Sequence, residues 1–191
     1  MSYLELPLER FLEALAAREP VPGGGGAAAV SVALGAALAA MAARYSTGRL
    51  DDADELAGRA DELRAEVQPL IDKDAAAYSR VLEIYRSAER SGLNGALSAA
   101  ADVPLSIASA GAEVSELGVM IAEQGNPNLR GDAVTAVLLA ESGARAAGLL
   151  VDLNLDLANI EDERRARCRE LVATAEVARE RVLKSVTGAG E

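Results

Sequence analysis

The sequence predicts an all-α protein: a single-domain bundle of six or seven helices, with no sheet, over residues 1–191. Apolar residues recur every three or four positions along most of the chain, and no run alternates with a period of two for long enough to form a strand. Half of the residues are hydrophobic but only 3% are aromatic, so alanine and glycine supply much of the core. Small side chains of this kind favour closely packed helices over a sheet of β-branched residues.

The first half of the chain predicts three helical regions. The first covers residues 4–17, and the second follows a run of glycines and ends before Gly48. The third begins at a group of aspartates, which favour a helix N-terminus, and Pro69 kinks or divides it before it ends near residues 91–92. The apolar stripes that define these regions are Leu8, Phe11, Leu12 and Leu15, then Val30, Leu34, Leu38, Met41 and Tyr45, then Leu56, Leu63, Val67, Leu70, Ile71, Ala75, Tyr78, Leu82 and Tyr85.

Three further helical regions complete the predicted bundle. The first covers residues 93–123 and is interrupted near Pro104, and the other two cover about 132–157 and 160–186. The helix that follows residue 132 is apolar or small on nearly all sides, which is typical of a helix at the centre of a bundle or in a subunit interface. Either the bundle itself or a second copy of the chain covers such a helix.

Charge and missing side-chain types exclude several classes of function. The net charge of −11 and the isoelectric point near 4.6 oppose a polyanion, so we expect no nucleic-acid partner. The chain has no histidine and a single cysteine, Cys168, which excludes an intrachain disulfide, a zinc site of the usual kind, and Ser-His-Asp or Cys-His catalysis. Catalysis must therefore use carboxylates, tyrosine, lysine, arginine or backbone dipoles.

One segment approaches the length of a membrane span. Residues 27–43 are apolar except for Ser31, but alanine contributes little hydrophobicity and a glycine loop precedes the segment. The N-terminal residues are acidic and amphipathic, with no basic region ahead of an apolar signal core. We therefore expect a buried helix in a cytoplasmic protein that makes no membrane contact.

The sequence PVPGGGGAAA at residues 20–29 places Gly23, Gly24, Gly25 and Gly26 directly after Pro22. The run lacks the Gly-Lys-Ser/Thr ending of a P-loop and follows no strand, which excludes the usual nucleotide-binding fingerprints. Two interpretations remain. The glycines form a tight turn that allows close helix packing, or they expose the amides of a helix N-terminus to a ligand.

A second conspicuous loop, GNPNLRGD at residues 125–132, contains Asn126, Pro127 and Asn128 and ends at Asp132. Asp132 either caps the following helix by accepting the amide of Thr135 or its neighbour, or presents a persistent negative charge at the positive end of the helix dipole. A charge of that kind suits a cationic substrate.

Asp74, in the sequence IDKDAAAY, lies three or four residues from Ile71 and Tyr78, on the stripe that is predicted to be buried. Burial in an apolar environment raises the pKa of a carboxyl towards neutrality, so Asp74 is a candidate for general acid–base catalysis. The alternative is a hydrogen bond from Tyr78 to Asp74 that joins two helices. Arg49, close to Tyr45, belongs either to an exposed surface or to an anion contact.

Four stretches of the chain resemble the cyclodeaminase/cyclohydrolase family, which includes the C-terminal half of formiminotransferase-cyclodeaminase and free-standing methenyltetrahydrofolate cyclohydrolases. The distinctive combination is a proline and a glycine run followed, in this order, by Asn-Pro-Asn and a downstream aspartate. The resemblance covers residues 4–185. The stretches are FLEALAAREPVPGGGGAAAVSVALGAALAAMAA, DKDAAAY, ADVPLSIA and GNPNLRGDAVTAVLLAESGARAAGLLVDLNL.

The resemblance implies an all-helical homodimer that acts on a tetrahydrofolate derivative as substrate and carries no prosthetic group. It also implies that the loops at residues 22–26 and 126–132 border the folate, so that the glycines admit a flat ligand close to the backbone. The implied activity is that of a methenyltetrahydrofolate cyclohydrolase, because this sequence contains no formiminotransferase half. The alternatives are formiminotetrahydrofolate cyclodeaminase, which releases ammonia, and a folate-binding or helical scaffold protein without turnover.

Within that implied site we expect Asp132 to act electrostatically and Asp74 to transfer protons, with Tyr78 orienting Asp74. The site includes Pro22, the four glycines, Arg49 and the Asn-Pro-Asn residues. Three positions depart from the family pattern. Gly26 and Gly131 stand where family members often have serine, and position 49 has an arginine where lysine is common. These departures motivate the scaffold alternative, since arginine keeps the charge but does not donate a proton near neutral pH.

Overall fold

A computed structural model describes residues 2–187 of the chain. Over that range the chain folds into eight α-helices and two short 3₁₀ turns, with no strand, which confirms the all-α prediction. The helices are α1 (Leu8–Ala16), α2 (Gly24–Arg44), α3 (Ala53–Val67), α4 (Leu70–Arg86), α5 (Leu93–Ala100), α6 (Asp102–Gln124), α7 (Arg130–Ala158) and α8 (Glu163–Thr187), and the 3₁₀ turns are Tyr3–Glu5 and Pro127–Leu129.

Prolines account for most of the differences between predicted and observed helix boundaries. The first helix begins only after Pro7, and Pro69 divides the third predicted region into α3 and α4. The interruption expected near Pro104 lies at Ala101 instead. Pro104 occupies the first turn of α6, where its missing N–H removes no helical hydrogen bond.

The apolar stripe predicted for α2 lies on the outer side of that helix. Leu34 is 53% exposed and Tyr45 66% exposed, and Val30, Leu38 and Met41 are only half-buried. The prediction was wrong because it followed the large side chains, whereas α2 packs through its small ones. The buried side consists of Gly25, Gly26, Ala28, Ala29, Val32, Gly35, Ala36, Ala39, Ala40, Ala42 and Ala43.

Two other predicted stripes are correct only in part. Leu63, Val67 and Ile71 are buried as expected. In the second half of α4, however, Tyr78 and Tyr85 are exposed and Val81 is buried instead. In α1, likewise, Phe11 is buried whereas Leu8 and Leu12 are exposed, although all four apolar positions share one stripe.

Helices α2 and α7 form the centre of the bundle and run antiparallel, so that Gly24 lies near Leu150 and Gly35 near Ala136. Glycines let the two backbones approach closely. A Cβ added at Gly143 would lie 2.6 Å from a methyl carbon of Val32 and 2.8 Å from the carbonyl oxygen of Ala28. Neither the helix backbone nor the buried valine has room to move away.

Replacing Gly143 by alanine is expected to lower the free energy of unfolding by about 1–3 kcal/mol, because the added methyl group overpacks the α2–α7 contact. Gly58 provides a matched control: it lies in the interior of α3, is exposed, and has open space where a Cβ would stand. Gly58→Ala should stabilise the protein by up to about 1 kcal/mol through helix propensity. Chemical denaturation of both variants measures the difference, and equal stabilities would contradict the packing argument.

Three stretches, Gly24–Arg44, Leu93–Gln124 and Pro127–Ala158, are long and apolar enough to cross a membrane by length and composition alone. In the folded chain, 56%, 67% and 56% of their most apolar windows, respectively, are buried against other parts of the protein. Their apolar character therefore serves packing inside the bundle to a large extent, as predicted for residues 27–43.

Candidate active site

A cavity of about 370 Å³ lies at the N-terminal end of α2, between the glycine loop, α4, α5 and the C-terminal half of α7. It brings together five of the residues predicted from the sequence. Pro22 is buried behind the wall, and Gly26 does not line the cavity either. The lining residues are Pro20, Val21, Gly23, Gly24, Gly25, Asp74, Ala77, Tyr78, Ala100, Leu150, Leu153, Asn154 and Leu157.

The carboxylate of Asp74 lies directly against the backbone of the glycine run. A Cβ added at Gly25 would stand 2.0 Å from Oδ1 of Asp74, so only glycine fits there while the Asp74 carboxylate keeps this position. At Gly23, Gly24 and Gly26 an added Cβ would meet its nearest neighbour at 3.8–3.9 Å, which is ordinary contact. One glycine of the four is therefore required by a close approach, and the group that approaches it is a carboxylate of the protein itself.

Burial raises the pKa of Asp74 above its usual value. The backbone N–H of Gly26 donates a hydrogen bond to this carboxylate and opposes the shift, as does the positive end of the α2 dipole. Desolvation is the larger effect, so the carboxyl holds a proton to a higher pH than a carboxyl in water does. A half-buried acid of this kind, at the wall of a cavity, is suited to exchanging protons with a ligand.

Tyr78 lines the same cavity one turn further along α4 and is 43% exposed. Within the described part of the chain it makes no hydrogen bond to Asp74. The alternative interpretation of a bond between these side chains that joins two helices is therefore wrong, since both residues belong to α4. An orienting role for Tyr78 in the presence of substrate stays a prediction.

The Asn-Pro-Asn loop lies at the opposite end of α2 and is fixed there by hydrogen bonds. The backbone N–H of Asn126 donates to Oγ of the buried Ser46 at 2.9 Å, and Nδ2 of Asn126 donates to the carbonyl oxygen of Tyr45 at 3.1 Å. Ser46 Oγ in turn donates to Ala42 O at 2.8 Å. Ser46 positions the loop, and sequence reasoning missed it because nothing in the local sequence distinguishes it from a surface serine.

Beside that loop lies a shallow polar depression of about 330 Å³. It brings Arg49 next to the Asn-Pro-Asn loop, and Arg49 is exposed there. The residues around it are Tyr45, Thr47, Gly48, Arg49, Asn126, Pro127 and Asn128.

Asp132 lies close in sequence to this loop but does not cap a helix. Helix α7 begins at Arg130, which makes Asp132 its third residue, and no side-chain cap is present at that helix start. Thr135 donates its hydroxyl to the carbonyl oxygen of Gly131 instead. The capping interpretation is therefore wrong, and Asp132 is a half-buried carboxylate in the first turn of α7, where the helix dipole favours negative charge.

One chain does not bring the two predicted loops together. The glycine loop precedes α2 and the Asn-Pro-Asn loop packs on its last turn, so the 21 residues of α2 lie between them. At 1.5 Å per residue this separation is roughly 30 Å. The expectation that both loops border a single site is therefore wrong for a site built within one chain.

The two glycines that depart from the family pattern are not required by close packing. A Cβ at Gly131 would meet nothing within 4 Å, and at Gly26 it would make ordinary contacts, so serine fits at both positions.

Among residues 2–187, no group of three or more histidine, cysteine, aspartate or glutamate side chains is placed to hold a metal ion.

The cavity contains one polar residue that the sequence reasoning missed, Asn154 on α7. Its Nδ2 donates to the carbonyl oxygens of Leu150 at 3.0 Å and Ala100 at 3.4 Å. A lone amide within the apolar stretch LLVDLNLDLA was the available signal, and the interpretation of α7 as apolar on nearly all sides overlooked it.

Comparison with known proteins gives consistent matches over most of the chain. The family model described as Formiminotransferase-cyclodeaminase matches residues 7–175. A protein of Methylorubrum extorquens named methenyltetrahydrofolate cyclohydrolase is 34% identical, over 94% of this chain and 95% of its own length. Mouse formimidoyltransferase-cyclodeaminase is 31% identical over 81% of this chain, which corresponds to 31% of that protein. The crystal structure of formiminotetrahydrofolate cyclodeaminase from Thermotoga maritima superposes with a TM-score of 0.87 and 29% identity, covering 97% of this chain and 98% of the other.

Proposed function

The chain belongs to the formiminotransferase-cyclodeaminase family, and from that premise we propose that it is a folate one-carbon enzyme that hydrolyses methenyltetrahydrofolate to the 10-formyl derivative. The similarity to the Methylorubrum cyclohydrolase supports this reaction, because it extends over nearly the full length of both chains. The second candidate is cyclodeamination of formiminotetrahydrofolate. The likeness to the Thermotoga structure, which is named for that reaction, favours it.

Asp74 in its cavity is the observation that carries the catalytic proposal. The methenyl carbon lies between two nitrogens and shares their positive charge, so it is open to attack by water. The carboxylate of Asp74 accepts a proton from the attacking water as the C–O bond forms. The N–H of Gly26 holds this carboxylate in the space that Gly25 leaves open, and the raised pKa of Asp74 reduces the energetic cost of taking that proton.

The tetrahedral adduct then opens. The bond from carbon to the ring nitrogen N5 breaks, and N5 takes up a proton that Asp74 returns. The hydroxyl on carbon loses its proton as the formyl C=O forms on N10, and this proton is released to solvent. One water and the cationic substrate give the neutral product and one released proton, so the atoms and the charge balance. A negative charge from Asp132 stabilises the cationic centre if the two aspartates face the same substrate.

A homodimer brings the two aspartates to one substrate. In this dimer a two-fold axis runs perpendicular to α2 and α7. It packs these helices antiparallel to the same helices of the other subunit. The glycine end of α2 in one protomer then meets the Asn-Pro-Asn end in its partner. A self-complementary contact of this kind gives two equivalent composite sites, each with Asp74 from one chain and Asp132 from the other.

The outer surfaces of α2 and α7 support such a dimer. Leu149 is 62% exposed and Leu157 69% exposed, and Leu153 and Leu34 are also exposed on these two helices. Large apolar side chains left on the surface while small ones fill the core are typical of a surface that a second protein copy covers. The cavity volume of about 370 Å³ lies near the lower limit for small-molecule sites, which suits a ring system that extends towards a partner subunit.

Incubation of the purified protein with methenyltetrahydrofolate tests the proposed reaction. We expect the absorbance of the methenyl chromophore to disappear faster than in buffer alone, in proportion to protein concentration. Cyclodeamination predicts instead that the chromophore appears, with ammonia, when formiminotetrahydrofolate is supplied. Tight folate binding with neither loss nor appearance of the chromophore would contradict the proposed enzymatic activity and favour a non-catalytic folate-binding protein.

A further inference from the structure

Asn154 is held in one orientation by two main-chain acceptors. It lies one turn after Leu150 on α7, and its Nδ2 donates to the carbonyl oxygens of Leu150 and of Ala100 on α5. Carbonyl oxygens only accept hydrogen bonds, so the amide nitrogen of Asn154 must face them. The nitrogen of the amide is thereby engaged by the protein, and the hydrogen-bonding capacity that Asn154 keeps for a ligand is that of the Oδ1 acceptor.

The other walls of the cavity offer few competing partners. The carboxylate of Asp74 is also an acceptor and already receives the N–H of Gly26. Leu150, Leu153 and Leu157 make the α7 side apolar around Asn154. A ligand that fills this space loses water from its polar edge, so an N–H group placed opposite Asn154 needs that acceptor.

We propose that Asn154 determines ring specificity, with its Oδ1 accepting a hydrogen bond from the aminopyrimidinone edge of the reduced pterin. This inference rests on the proposed function and adds a residue that recognises the ring rather than the one-carbon unit. The amino group and the adjacent ring N–H of that edge are neighbouring donors, whereas the cavity offers side-chain acceptors. The flat ring lies against the leucines of α7, with its donor edge towards Asn154.

Removal of one ligand donor tests the assignment without changing the protein. Isothermal titration compares tetrahydrofolate with its 2-desamino-2-methyl analogue, which has no amino donor at that position. The wild-type protein should bind the analogue about tenfold more weakly, the effect of one neutral hydrogen bond in a site from which water is excluded. Equal affinities would overturn the inference and leave the proposed function standing. Binding of neither compound would overturn both.

The variant Asn154→Leu completes the comparison. It should bind the two compounds with equal affinity, because the protein acceptor is gone, and its KM for methenyltetrahydrofolate should rise more than its kcat falls. If Asn154 had a purely structural role, the variant would bind both compounds more weakly by the same factor. It would then keep the tenfold preference for tetrahydrofolate, which would overturn the inference. Asn94→Leu, the same change at an exposed position of α5, should keep the wild-type preference. If Asn154→Leu does not unfold cooperatively, Asn154→Ala serves for the same measurement.

Discussion

Replacing Asp74 by asparagine is expected to slow hydrolysis of methenyltetrahydrofolate by about 10²-fold or more, because the amide no longer takes the proton of the attacking water. The amide oxygen still accepts the N–H of Gly26, and the side-chain volume is nearly unchanged, so the glycine loop stays in place. The initial rate of chromophore loss measures the effect. An unchanged rate in folded Asp74→Asn protein would contradict a proton-transfer role.

Asp72 provides the matched control on the same helix. Its carboxylate accepts hydrogen bonds from the Ser2 hydroxyl and, at 2.7 Å, from the Tyr3 N–H, so it holds the N-terminal 3₁₀ turn and does not line the cavity. Asp72→Asn should therefore leave the rate within a few-fold of wild type. Equal losses in both variants would indicate a general effect on the fold rather than a catalytic role for Asp74.

The same Asp74→Asn change is expected to increase stability at neutral pH. Burial raises the pKa of Asp74 in the folded state, so the folded protein binds more protons than the unfolded chain between the usual carboxyl pKa and the raised one. The free energy of unfolding of wild type therefore falls as pH rises through that window. Asparagine does not titrate, so the stability advantage of the variant should be present at pH 7, shrink as the pH falls through that window, and be absent below about pH 4. Denaturation at a series of pH values measures it.

Periodicity and turn residues were sufficient to predict the helices but not the side of a helix that faces the core. Leu34 in α2 and Tyr45 directly after it face outwards, because glycine and alanine allow the closest approach of α2 to α7. A hydrophobicity pattern ranks leucine above alanine, so it cannot predict that the small residues of a helix face the core. The same limitation placed Tyr78 in the core, whereas it lies at the edge of the cavity.

The sequence predicted neighbours within the candidate site where the residues share one helix turn or one loop. It did not predict whether elements far apart in the sequence lie close together in the fold. The sequence drew attention to Asp74 because a carboxylate on an apolar stripe is costly without a partner, and the structure supplies that partner in the backbone N–H of Gly26. The distance between the glycine loop and Asn126 depends on the length and direction of α2. Family resemblance places both loops beside a folate without stating whether they come from one chain or two.

Mixing two inactive variants is expected to restore activity. In the proposed dimer each site takes Asp74 from one chain and Asp132 from its partner. Asp74→Asn and Asp132→Asn homodimers each lack one of these groups at both sites, and each should lose about 10²-fold or more in rate. A heterodimer of the two has one site with both aspartates intact and one site with both replaced. Random association makes half of the dimers heterodimers, so about a quarter of wild-type activity should return.

The readout separates a composite site from a site within one chain. Coexpression of the two variants with different affinity tags, followed by two successive purifications, isolates the heterodimer, which should show about half of wild-type activity per dimer. If both aspartates acted from the same chain, every site in the heterodimer would keep one defect and no activity would return. The roughly 30 Å between the two ends of α2 excludes a site shared within one folded protomer, because no side chain spans that distance. Activity of the heterodimer above that of both single-variant homodimers therefore reports the partner's contribution.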